Sequence, residues 1–250
     1  MDAEHRGASQ RYNQPFDWWG FGEPPRPRSI VELIDQGVLD ARIAAFLWLA
    51  LERHASVVVA AELQGAGKTT LLTALLDFLP AQTMPIYLRG WYERFDFLAT
   101  ADPQQTYLLC NEISSHLPTY LWGRGVRQLF EAMSGGYSMA TTMHASTADA
   151  VLALLSAFPL EVPPRLLCGI DLVLTLAVGK APSGPVRRLM RLERIDERDG
   201  IPVAVSLATR RGVLGDLVAR PGELVAVLTR HFGYDLPTAT TEMARRERVL

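Results

Sequence analysis

The sequence predicts an α/β fold, with a mainly parallel central sheet flanked by helices and antiparallel edge strands toward the C-terminus. Three observations carry this. Short apolar runs alternate with helical patterns between residues 57 and 157, the order that crossover connections between parallel strands require. One of those runs passes through a glycine-bearing turn, Glu62-Leu63-Gln64-Gly65-Ala66-Gly67-Lys68-Thr69-Thr70, directly into a helix. Three β-rich runs then follow at 170–178, 186–195 and 202–208, separated by turns that contain glycine, as neighbouring antiparallel strands are.

Residues 1–28 stand apart. They set Phe16, Trp18, Trp19 and Phe21 beside Pro15, Pro24, Pro25 and Pro27, a composition that forbids regular helix and cannot build its own core. The segment reads as an N-terminal arm that lays its aromatics on the domain surface, or straps onto a neighbouring subunit or a nucleotide base. The main domain is expected over 29–215, with a C-terminal helix and polar tail over 216–250.

Helices are predicted at 30–36 and 40–53. In the second, Asp40 is the N-cap, and Ile43, Phe46, Leu47, Ala50 and Leu51 form one apolar stripe. The run at 57–61 reads as a strand, and the helix after the turn reaches about residue 78, ahead of Pro80. Further strands are expected at 84–88 and 106–111. A helix at 125–133 stops at Ser134-Gly135-Gly136. A strand at 138–143 ends at His144, and a helix covers 147–157. Pro221 opens a helix to about residue 231, and the polar stretch 238–250 reads as a mobile or weakly docked helix.

Composition narrows the function. At 250 residues, 48% hydrophobic and 21% charged, the chain has the make-up of a soluble globular protein with a sizeable core. A net charge of −2 gives no electrostatic reason to expect nucleic acid or an anionic membrane as partner. Cys110 and Cys168 lie in apolar runs and read as reduced core residues. The five histidines show no metal-ligand spacing. The N-terminus lacks the pattern of a signal peptide, and every apolar run is interrupted too early to span a bilayer. A cytoplasmic protein is expected, peripheral at a membrane only through partners.

The turn itself carries the chemistry. Glycines let successive N–H groups converge on phosphate oxygens, and the helix that starts near Lys68 adds the positive end of its dipole. Gln64, Gly65, Ala66, Gly67, Lys68, Thr69 and Thr70 are therefore expected to bind ATP, with Lys68 reaching the β- and γ-phosphates and the Thr69 hydroxyl holding Mg²⁺. Glu62 stands where the usual motif has its first glycine. Glu112 closes the apolar run Tyr107-Leu108-Leu109-Cys110-Asn111. Strand C-termini line the ligand crevice of such sheets, so Glu112 is expected to position the attacking water and assist Mg²⁺. His144 closes Thr141-Thr142-Met143 in the same way and is expected to sense the γ-phosphate or contact Glu112. The Thr141 and Thr142 hydroxyls read as structural.

These residues, in this order, resemble the type II/type IV secretion ATPase superfamily, whose members power pili, secretion and conjugation on a RecA-like P-loop domain. The likeness runs from about residue 30 to 193. It includes Glu32-Leu33-Ile34, Gly67-Lys68-Thr69-Thr70-Leu71-Leu72, Glu112, Leu129-Phe130-Glu131-Ala132-Met133-Ser134-Gly135-Gly136, Thr141-Thr142-Met143-His144-Ala145 and Arg187-Arg188. The resemblance implies a RecA-like P-loop NTPase fold, with Lys68 and Thr69 in Walker A, Glu112 as the Walker B acid and His144 as the His box. It also implies a ring-shaped ATPase, a homohexamer working on a membrane platform protein, without direct membrane insertion or nucleic acid. Arg26, Arg28, Arg89, Arg187 and Arg188 are candidates for an arginine finger.

The departures from the family are specific. Its Asp box is matched by Arg89 and Gly90, leaving Glu93 as the later acid with Asp96 nearby. Ser114 replaces an arginine, and the stretch from Glu112 to His144 is longer than usual. Only 61 residues precede the loop, so the family's N-terminal domain is expected to be absent. The alternative expectation is a hydrolysis-deficient, nucleotide-binding paralogue that acts as structural or regulatory partner of a full-length motor.

Overall fold

The protein is described by a computed structural model over residues 27–182, 184–220 and 222–250. The aromatic arm and Arg26 lie outside the described residues, apart from the last two positions of the arm. So does Pro221.

Two helices lead into the sheet. Ser29 and Glu32 cap α1 (Ile30–Asp35) reciprocally, and the Asp40 carboxylate accepts from the Ile43 N–H at 2.8 Å to start α2 (Ala41–Leu51). The alternating part follows as β1 (Val57–Ala60), α3 (Lys68–Leu76), β2 (Met84–Tyr87), β3 (Thr106–Cys110), α4 (Arg124–Ser134), β4 (Ser138–Met143), α5 (Ala148–Ser156) and a short α6 (Pro164–Leu167). A meander of β5 (Leu172–Ala181), β6 (Gly184–Arg198), β7 (Ile201–Arg210) and β8 (Leu217–Ala219) completes the sheet. The chain ends in α7 (Glu223–His231) and α8 (Leu236–Val249).

All eight strands form one sheet in the order β2-β3-β4-β1-β5-β6-β7-β8. The β2–β3, β3–β4, β4–β1 and β1–β5 pairs are parallel; the β5–β6, β6–β7 and β7–β8 pairs are antiparallel. The α/β class, the parallel half and the antiparallel C-terminal strands are those the sequence predicts. Side chains of a strand alternate between faces, and here the alternation separates two cores. Val57, Val59, Tyr107, Leu109, Leu172 and Leu174 join α1, α2, α3, α7 and α8 on one face. Val58, Ala60, Leu108, Cys110, Met139 and Val173 join α4, α5 and α6 on the other. Strands buried on both sides explain why β1 reads as an unbroken apolar run.

The C-terminal tail differs from expectation. α8 is docked on α2, with Ala239, Met243 and Arg246 buried. Arg246 Nη2 donates to Glu52 Oε2 at 2.7 Å, and its guanidinium lies 4.6 Å from the Trp48 ring centroid. An arginine whose stem packs and whose head is paired occupies a core position that hydropathy does not register. No helix among the described residues is long and apolar enough to cross a membrane.

Candidate functional site

Parallel pairing brings the expected residues to one edge. Ala60 on β1 is level with Met143 on β4, and Cys110 on β3 is level with Thr141. Glu112 and His144 therefore follow neighbouring strands out of the sheet on the same side as the 61–67 turn. In that turn Gly65 and Gly67 have φ of 75° and 90°, a region that strains any residue with a Cβ. Gly67 is also the N-cap of α3 and offers no side chain to its first-turn N–H groups, which leaves them for a ligand. Gln64 and Gly65 are exposed, Ala66 is buried, and Thr69 and Thr70 are half-buried in the first turn.

Lys68 turns inward and is 7% exposed. Its Nζ lies 3.2 Å from His144 Nε2 and 3.5 Å from Glu112 Oε2, while His144 Nε2 lies 3.4 Å from Glu112 Oε1. Burial lowers the Lys68 amine below the usual lysine range, and the Glu112 carboxylate opposes that fall. Two backing contacts orient the trio. The Thr142 hydroxyl, 2.9 Å from the Asn111 carbonyl that accepts from it, sits 3.3 Å from Glu112 Oε2. His144 Nδ1 lies 3.2 Å from the Glu62 carbonyl, which can only accept, so the network assigns the proton to Nδ1 and a lone pair to Nε2. Glu112 Oε1 is buried without a hydrogen-bond partner.

Other expectations land elsewhere. Glu93 accepts from the backbone N–H groups of Arg89, Arg94 and Phe95 at 2.9, 2.8 and 2.7 Å, so its carboxylate holds its own loop. Asp96 pairs with Arg94 at 3.2 Å on the surface. Arg187 Nε donates to the Gly65 carbonyl at 2.8 Å within the same chain. Arg188 Nη1 donates to the Gln36 carbonyl at 2.8 Å, and Arg28 donates to the Gln36 side chain. Burial pushes the Cys110 thiol up to about 12, in keeping with an inert core residue.

Sequence spacing missed two members of this neighbourhood. Thr142 follows from strand parity, because it pairs with Val59 and ends beside Glu112. His116 does not: residues 113–121 fold back on themselves, with Leu121 N donating to the Glu112 carbonyl at 2.9 Å. That return sets the His116 ring 6.0 Å from the His144 ring and brings ligand atoms of Glu112, His116 and His144 within 4.8 Å of one another. The histidines show no metal-ligand spacing along the sequence; folding supplies a proximity that linear spacing cannot.

No protein-family model matches the chain. Two uncharacterized proteins of Methanocaldococcus jannaschii are similar in sequence. One is 30% identical over 162 residues, covering 54% of this chain and 57% of its own length. The other is 26% identical over 204 residues, covering 70% of this chain and 35% of its own length. The chain matches only part of the length of either relative. Among solved structures, the VirB11 ATPase from the Brucella suis type IV secretion system, in complex with sulphate, aligns at a TM-score of 0.46 and 18% identity, over 78% of this chain and 62% of that one. The Legionella pneumophila ATPase DotB aligns at a TM-score of 0.41 and 14% identity, over 89% and 58%.

Proposed function

We propose that this chain binds Mg²⁺·ATP at Gln64–Thr70 and hydrolyses it, as a motor subunit of the type II/type IV secretion ATPase superfamily. The reading rests on one observation: Lys68, Glu112 and His144 meet within 3.5 Å at the open end of β1, β3 and β4, beside a helix start whose N–H groups are uncapped. The donor set fits a metal–triphosphate. The loop offers N–H groups and one ammonium to phosphate, and Thr69 and the unpaired Glu112 oxygen offer hard ligands to Mg²⁺. Bound Mg²⁺ would neutralise charge on the phosphates.

The chain's own residues then divide the work. Lys68 exchanges Glu112 for the phosphates and supplies positive charge to them. Glu112, oriented by Thr142, holds the attacking water and takes its proton. His144, fixed by Glu62, carries a change at the phosphate end to β4 and α5. The motor role, a homohexameric ring and a membrane platform partner follow from the family likeness of the motifs; nucleic acid is no part of this reading.

Arg89 and Gly90 at the Asp-box positions, together with the engagement of Glu93 by three backbone N–H groups, favour a second reading: ATP binding without useful turnover, as the partner of a full-length motor. Steady-state ATP hydrolysis by wild type and Glu112→Gln separates the two. Catalysis predicts a fall of ~10²–10⁴ in rate for the variant with nucleotide affinity kept. Equal, near-background rates in two chains that both bind Mg²⁺·ATP would leave the second reading standing.

A further inference from the structure

We propose that Glu112, His116 and His144 form, in the nucleotide-free chain, a binding site for a divalent cation of the zinc class that shares the Glu112 carboxylate with the Mg²⁺ position at Thr69 but draws its other ligands from the two histidines. Two imidazoles and one carboxylate suit zinc or cobalt far better than Mg²⁺, which takes oxygen ligands. Ligands on a tetrahedral zinc stand roughly 3.4 Å apart, given bonds of about 2.0–2.2 Å; His144 Nε2 and Glu112 Oε1 are already 3.4 Å apart.

Each of these two ligands is prepared for the role. The Nδ1–H of His144 is held on the Glu62 carbonyl, which directs the Nε2 lone pair inward, as the outer partners of metal-bound histidines do. Glu112 keeps one oxygen beside the Thr142 hydroxyl and leaves Oε1 buried with no hydrogen bond. An unpaired carboxylate oxygen in a residue 6% exposed is costly, and a cation there would offset that cost. His116, itself exposed, completes the set from the return loop, within 4.8 Å of the other ligand atoms. The fourth position stays open.

Lys68 opposes the site. Its Nζ stands 3.2 Å from His144 Nε2 and 3.5 Å from Glu112 Oε2, so an ammonium and a divalent ion compete for the His144 lone pair and repel each other beside one carboxylate. Removing that ammonium therefore tightens cation binding.

The site does not need the nucleotide reading, and the test keeps the two apart. Zn²⁺ titration calorimetry and Co²⁺ absorption would be run on the tag-free full chain, without nucleotide, for wild type, His116→Ala and Lys68→Ala. Wild type is expected to bind one ion, His116→Ala at least about tenfold more weakly, and Lys68→Ala at least about tenfold more tightly. Mg²⁺·ATP affinity, read separately, should be unchanged in His116→Ala. Equal Zn²⁺ affinity in wild type and His116→Ala, or no saturable uptake by wild type and Lys68→Ala, would overturn the proposal. Loss of ATP affinity in His116→Ala would do so too, by tying His116 to the phosphate loop. Failure of wild type to bind ATP while still taking Zn²⁺ would sink only the nucleotide reading.

Discussion

Two buried cations in this molecule are paired in opposite ways. Arg246 and Lys68 are 5% and 7% exposed, and each faces a glutamate. Arg246 lies between α8 and α2, stacked on Trp48 and fastened to Glu52 at 2.7 Å. Only its Nη2 is hydrogen-bonded; Nε, 3.4 Å from Glu242 Oε2, and Nη1 are buried without a hydrogen-bond partner, so packing on the ring rather than full pairing holds it. Lys68 lies at the open end of parallel strands, shares Glu112 and His144 at 3.2–3.5 Å, and sits beside a carboxylate oxygen with no hydrogen bond. Equal burial therefore does not mean equal purpose. A cation packed on an aromatic ring secures two helices, whereas one held by long contacts at strand ends is free to change partners.

The largest expected effect comes from removing the exchangeable cation. Lys68→Ala should weaken Mg²⁺·ATP binding by at least about 10²-fold, measured by calorimetry, while the circular-dichroism spectrum and cooperative melting persist. Wild-type affinity would show that the lysine is as structural as the arginine. The reverse pattern is expected at the other pair. Arg246→Ala should cost about 2–3 kcal/mol in urea unfolding, below the full value for a buried pair because Glu52 is partly exposed, with ATP affinity kept. Arg246→Met, which retains the stem against Trp48, should recover most of that loss.

The contrast also marks where the sequence was legible. The helix cap at Asp40, the strand ending at His144 and the convergence of Lys68, Glu112 and His144 were all readable, because periodicity and strand ends are written locally. α8 was not, since its buried stripe includes Arg246 and reads as polar. His116 was hidden for a different reason: its position depends on how residues 113–121 return to Glu112, which no linear spacing encodes. The three-residue β8 gave too short a run to detect. Arg187, one of five candidates for an arginine finger, makes its contact with Gly65 of its own loop.

The last expected effect lies at the base of the sheet, away from both pairs. Asp171 Oδ2 accepts from the Ser56 N–H at 2.6 Å, where β1 and β5 begin. Burial pushes its carboxyl up from 3.8 to about 6, against the Ser56 N–H and the Arg194 charge. The folded state thus holds this proton more firmly than the unfolded chain. The contribution of Asp171 to stability is fully present below about pH 4 and is lost as pH rises toward 6, by up to about 1.4 kcal/mol per pH unit. Asp171→Asn should flatten that part of the stability profile in urea titrations between pH 4 and 6; an unchanged slope would assign the proton elsewhere.

The long strand β6 has a thermodynamic consequence. At one point Arg187 grips the Gly65 carbonyl, and six residues later Glu193 accepts from the Ala148 N–H that begins α5, just beyond His144. One ribbon thereby restrains both walls of the crevice during folding. Ordering them has already been charged to folding, so an incoming ligand meets a preorganised surface and gives up less entropy on arrival.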